Sequence, residues 1–170
     1  DANNLVINKS GQSSFAAIFG GKYNLNHCTI ANYWTSSARQ FPSLLFNDYY
    51  IDLDNNGYIN DFFEMRLSNS IIYGNQNIEF LVEQIEDSDL DFVIHNSLFK
   101  FYDSSNFFGN NPNLNFDSPK YNNLFLNLNP SFVDPYANNL TIDENSEVIG
   151  LGNVNYAILY PFDLNGYDRT

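Results

Sequence analysis

The chain has 170 residues and 20 acidic against 7 basic side chains, a formal net charge of −13. So acidic a balance argues against nucleic acid or an anionic membrane surface as partner, because neutralising phosphates takes clustered Lys and Arg. No apolar run approaches the length needed to cross a bilayer. Phe (16) and Tyr (12) are abundant, which favours strands over helices.

Taken in chain order, five segments share one pattern around a polar pivot. They are Ala2-x-Asn4-Leu5-x-Ile7, Tyr23-x-Leu25-x-His27-Cys28-x-Ile30, Met65-x-Leu67-x-Asn69-Ser70-x-Ile72, Phe92-x-Ile94-x-Asn96-Ser97-x-Phe99 and Tyr121-x-Asn123-Leu124-x-Leu126. The pivots Asn4, His27, Asn69, Asn96 and Asn123 lie 23, 42, 27 and 27 residues apart. A period in the twenties is the mark of a solenoid. Before each pivot, apolar and polar residues alternate as in a strand with one buried face. After it the alternation resumes one position out of phase, which a straight strand cannot do. A left-handed residue at the pivot absorbs the slip, and Asn tolerates that conformation best among residues with a side chain. Stacked pivots predict a ladder of side-chain amides along the solenoid. Because the chain holds 29 Asn, chance placement is the competing explanation, and five in-phase copies weigh against it.

Cys28 occupies the small inward position that Ser70 and Ser97 take later, so it reads as a buried structural thiol. His27 is explained by its pivot role and His95 by an outward strand position; their spacing is not that of metal ligands. The stretch at about 48–64 is an insertion between the second and third copies. Within it, Asp52-x-Asp54-x-Asn56-Gly57-Tyr58-x-Asn60-Asp61 places oxygen-bearing side chains at alternate positions ahead of a Gly, as in the first half of a calcium loop. Calcium is the one cofactor this suggests, with Asp52, Asp54, Asn56, Tyr58, Asn60 and Asp61 as ligands. The twelfth-position Glu is missing, since Phe63 stands there, and an Asx-rich turn explains the same residues.

Glu83, Glu86, Asp87, Asp89 and Asp91 form an acidic run that reads as a solvated loop, with a glycosidase carboxylate pair as the alternative. The bases Lys9, Lys22, Arg39, Arg66, Lys100, Lys120 and Arg169 are scattered; Arg66 takes an outward strand position. No G-x-S-x-G elbow appears. Tyr33, Trp34, Tyr49, Tyr50, Tyr58, Phe107 and Phe108 are placed either to stack on sugar rings or to cover the sides of the strands. The first residues already lie within the repeat and the last copy lacks a polar cap, so these are expected to be the C-terminal coils of a longer chain, forming one domain over 1–170.

The repeats, for example Leu67-Ser68-Asn69-Ser70-Ile71-Ile72-Tyr73-Gly74-Asn75, resemble right-handed parallel β-helix proteins of the pectin-lyase-like kind. The resemblance is nearest to surface proteins of Bacteroidota of the choice-of-anchor Q type. It rests most on the tail: Asn129-Pro130-Ser131-Phe132-Val133-Asp134-Pro135, Leu140-Thr141-Ile142, Ser146-Glu147-Val148-Ile149-Gly150 and Asp163-Leu164-Asn165-Gly166-Tyr167-Asp168-Arg169. It implies an all-β fold, a right-handed parallel β-helix solenoid of about five to six coils. It also implies export to the outer-membrane surface or beyond. The function expected is a non-catalytic extracellular or cell-surface module binding a polysaccharide or a surface protein. The alternative is a polysaccharide lyase or glycoside hydrolase acting on one β-helix face; no catalytic motif transfers from the relatives.

Overall fold

The computed structural model describes residues 1–60, 63–85 and 90–169. In chain order the strands are β1 (Ala2–Asn3), β2 (Val6–Ile7), β3 (Phe15–Ala17), β4 (Gly21–Asn26), β5 (Thr29–Asn32) and β6 (Leu44–Asn47). There follow β7 (Tyr49–Ile51), β8 (Gly57–Ile59), β9 (Phe63–Ser68), β10 (Ile71–Gly74), β11 (Phe80–Glu83) and β12 (Asp91–His95). The last are β13 (Leu98–Phe99), β14 (Tyr121–Asn122), β15 (Phe125–Leu126), β16 (Phe132–Asp134) and β17 (Asn139–Ile142), before the one-and-a-half-turn helix α1 (Val154–Leu159).

These strands divide among five sheets. The first is parallel, in the order β1-β4-β9-β12-β14; the second is parallel, β2-β5-β10-β13-β15; the third is β3-β6-β11, also parallel. The remaining two are antiparallel pairs, β7-β8 and β16-β17. The expected single right-handed parallel β-helix of five to six coils is therefore corrected to a multi-sheet β-rich fold. The insertion pairs with itself rather than extending a neighbouring ladder. Among the described residues no strand from Phe132 onward joins a parallel sheet, so the tail motifs build a separate layer.

The core lies between the parallel sheets. Leu25, Met65, Leu67 and Ile94 of the first sheet face Ile30, Ile72 and Phe99 of the second, all at most 3% exposed. Leu44, Phe46, Phe80 and Val82 of the third sheet close it, each fully buried. Phe80 meets Phe46 at 5.9 Å and Phe99 at 4.3 Å between ring centroids. Each such side chain contributes about 1.5–3 kcal/mol by leaving water.

One charged pair crosses this interior. Arg39 and Glu79 pair at 2.6 Å with side-chain exposures of 2% and 0%. The Glu79 carboxylate also accepts from the Ser43 amide (2.9 Å), the Ser43 hydroxyl (2.6 Å) and the Gln76 amide (2.8 Å). Gly74 makes room for it, since a Cβ there would collide with the Glu79 carboxylate and the Asn32 carbonyl. A buried carboxylate held by five donors is compensated, whereas either partner alone would be an uncompensated charge.

Candidate functional site

Alternation along the first sheet turns one row of charges outward. Lys22, Glu64 and Asp91 are register neighbours on β4, β9 and β12, and Asn24, Arg66 and Val93 form the next row. Lys22 Nζ lies 2.6 Å from Glu64 Oε2, and Arg66 Nη2 lies 2.7 Å from Asp91 Oδ2 and 3.9 Å from Glu64 Oε1. The Arg66 hydrogen bond, with its charge, holds the Asp91 carboxyl below the usual range and raises Arg66 in turn. Exposed pairs of this kind stabilise a fold by only about 0–1 kcal/mol, so the row shapes the surface more than it holds the sheet. In a third row the Ser68 hydroxyl donates to Asn26 Oδ1, and Asn26 Nδ2 donates to Asn3 Oδ1 at 3.2 Å. Helix α1 reaches this side through Tyr156 against His95 (5.7 Å) and Tyr160 against His27 (6.2 Å).

The chain feeding this face carries an aromatic hairpin. Tyr50 and Tyr58 are cross-strand partners on β7 and β8, and their rings stack at 4.8 Å and 10°. Phe19, three residues ahead of Lys22, meets Tyr50 edge-on at 5.0 Å. Asn60 Nδ2 donates to the Phe19 carbonyl at 3.0 Å, tying the hairpin to that segment. Tyr50, Ile51, Leu53, Tyr58 and Ile59 all remain exposed.

The calcium-loop residues make up the tip of this hairpin. Asp52 Oδ1 accepts from the amides of Asp54 (2.9 Å) and Asn56 (2.8 Å); Asn56 Nδ2 and the Tyr58 hydroxyl donate to Oδ2 at 3.0 and 3.1 Å. These donors, Asn56 foremost, hold the Asp52 carboxyl below its ordinary range. Asp52, Asn56 and Tyr58 thus meet as an acceptor with its donors, in an Asx turn, and Asn60 turns to Phe19 instead. Asp61 lies outside the described residues, as do Glu86, Asp87 and Asp89 of the acidic run. Among the described residues no group of three or more His, Cys, Asp and Glu is placed to hold a metal ion.

The five pivots have φ of 60° (Asn4), 52° (His27), 47° (Asn69), 44° (Asn96) and 54° (Asn123). Their side chains chiefly reach the C-terminal layer rather than one another; Asn69 Nδ2 and His27 Nε2 are 3.5 Å apart. Asn69 Nδ2 donates to the Asn153 carbonyl (3.0 Å), and the Asn153 amide donates back to Asn69 Oδ1 (2.8 Å). Asn96 Nδ2 donates to the Leu151 carbonyl at 3.2 Å and Asn4 Nδ2 to the Phe162 carbonyl at 3.0 Å. Arg169 closes the row, donating to Asn4 Oδ1 (2.9 Å) and to the Tyr160 carbonyl (3.0 Å). Asn4, Asn69 and Asn96 thus clasp the tail, while Asn69 also approaches the neighbouring pivot His27. Two adjoining clefts of about 560 and 460 Å³ remain between this layer and the outward row of the second sheet, both bordered by His27, Asn69, Ile71 and Arg169. Burial lowers His27 and raises the Cys28 thiol, which suits packing roles for both.

Of the other aromatics singled out in the sequence, Tyr33 lies edge-on to Phe132 (6.2 Å) and Tyr136 (5.3 Å) and Phe108 joins Phe101 (6.4 Å), while Phe107 is exposed. No family model matches the chain, and no curated protein or solved structure gives a significant match.

Proposed function

We propose that this chain is a non-catalytic extracellular or cell-surface module that binds a neutral polysaccharide on the outward face of the first sheet. The observation that carries the reading is the exposed Tyr50–Tyr58 stack, braced by Phe19 and joined through the chain to the row of Lys22, Glu64, Arg66 and Asp91. Exposed aromatic faces suit the apolar faces of sugar rings, while paired charges and amides suit their hydroxyls. The net charge of −13 disfavours polyanionic glycans. Resemblance of the tail to outer-surface proteins supports the location.

Non-catalysis is supported by the state of the carboxylates. A glycosidase acid must hold its proton near neutral pH, which requires a raised pKa. Asp91 is shifted the opposite way by Arg66, and Glu64 is engaged by Lys22 at 2.6 Å.

A panel of neutral plant and microbial polysaccharides, immobilised and probed with the purified chain, tests this. Wild type should bind at least one and release it with its chain length unchanged. Tyr50→Ala should weaken that binding about tenfold or more, some 1.4 kcal/mol, with Tyr58→Phe close to wild type. Shortened or unsaturated products would overturn the non-catalytic reading. Binding indifferent to Tyr50→Ala would remove the site.

A further inference from the structure

A second acidic locus lies at the opposite end of the hairpin from Asp52, where β6 leaves the third sheet. Asp48 is fully buried, and Asn47 just before it is 9% exposed. Asp48 Oδ1 accepts one long hydrogen bond, from the Ile85 amide at 3.3 Å. Asp48 Oδ2 and Asn47 Oδ1 are both buried without any partner, and no Lys, Arg or His pairs with Asp48 among the described residues. An isolated carboxylate so placed is costly; buried charges in folded proteins are paired or coordinate metals. Nearby stands a second carboxylate. Glu83 on β11 is the register neighbour of Asn47, and the Tyr49 hydroxyl donates to its Oε2 at 3.3 Å. Burial, then the charge and hydrogen bond of Glu83 and last the charge of Asp48, push the Tyr49 phenol up. A cleft of about 310 Å³ lined by Tyr49, Glu83, Gln84, Asn111 and Pro112 opens on the Glu83 side of this locus.

We propose that Asp48, Asn47 and Glu83 bind a hard divalent cation of the calcium class. Two carboxylates and an amide oxygen, with no sulfur or imidazole, are the ligands such an ion takes in flexible geometry. The ion would neutralise Asp48 and pin the base of the aromatic hairpin to the third sheet. This site differs from the hairpin tip, where the Asp52 carboxylate is already filled by donors.

The test is thermal unfolding of the purified chain in calcium chloride against EDTA, with terbium chloride as a luminescent substitute excited through tyrosine. Saturating calcium should raise the wild-type Tm by roughly 5 °C. Asp48→Asn, which removes the buried charge but keeps the shape, should unfold at or above wild type in EDTA and lose the calcium shift. Glu83→Gln lies at the partly exposed rim and should fold normally, with a calcium shift cut by half or more and weakened terbium emission. Asp52→Asn should leave both readouts unchanged. Identical wild-type curves in calcium and EDTA would overturn the proposal. So would a calcium shift kept by Asp48→Asn and Glu83→Gln, or one abolished by Asp52→Asn alone.

Discussion

Asn69 shows how one side chain serves two ends at once. Its backbone sits at φ 47°, a region that costs most L-residues roughly 1–2 kcal/mol and Asn less. Its amide both donates to and accepts from Asn153. Replacing it by Ala should bring the backbone cost and the loss of two hydrogen bonds, each worth about 0.5–1.5 kcal/mol, for a total of about 2–5 kcal/mol. Asn69→Gly relieves the backbone and loses the same bonds, so it should destabilise less, by about 1 kcal/mol. Urea unfolding of the three proteins measures this. If Gly proves as harmful as Ala, the left-handed corner is not what selects Asn here.

At the scale of elements, the C-terminal layer is a clasped unit whose hold is concentrated at a few points. Arg169 donates to two carbonyls near α1 and to Asn4, and the Arg169 amide donates to the Pro161 carbonyl at 2.8 Å. Hydrogen bonds to a charged group are worth about 1.5–3 kcal/mol each, so Arg169→Ala should open this end locally. Amide hydrogen exchange should quicken at least tenfold over 162–169 and stay unchanged in β9 and β12. Equal acceleration in those strands would mean that the layer and the sheets unfold together. The alternation around the pivots made the strands of the first two sheets legible: Met65 and Leu67 point inward before Asn69, and Ser70 and Ile72 after it, all at most 2% exposed. The third sheet carries no such signal. Leu44-Leu45-Phe46 and Phe80-Leu81-Val82 are apolar throughout because their outer face is covered as well, with Leu45 and Leu81 at 7% and 8%. The clasp was illegible for another reason: the pivot amides grip backbone carbonyls, which any residue supplies. The aromatic residues of the candidate face were visible as types, but their stacking depends on the β7-β8 register, and the pairing of Arg39 with Glu79 spans 40 positions.

For the whole molecule, repetition in the sequence suggested one continuous solenoid, and the structure separates into sheets with a self-paired insertion and a tail layer. What these parts share is an acidic exterior. Of the seven basic residues, Arg39 is spent inside on Glu79, while Lys22 and Arg66 pair with Glu64 and Asp91. The net charge of −13 leaves acidic side chains in large excess, and their self-repulsion favours the expanded state. Raising sodium chloride from about 10 mM to about 0.15 M shortens the screening length from about 30 to 8 Å. That should weaken the repulsion among many distant carboxylates more than it weakens the two short surface pairs. Tm should therefore rise by a few degrees, and choline chloride should act as well as sodium chloride, because screening is indifferent to cation identity. The Arg39–Glu79 pair, out of reach of solvent, contributes equally at both salt levels. A Tm that falls with salt would show instead that the Lys22–Glu64–Arg66–Asp91 row outweighs the net charge, and would turn that row from a surface for partners into a stabilising element of the first sheet.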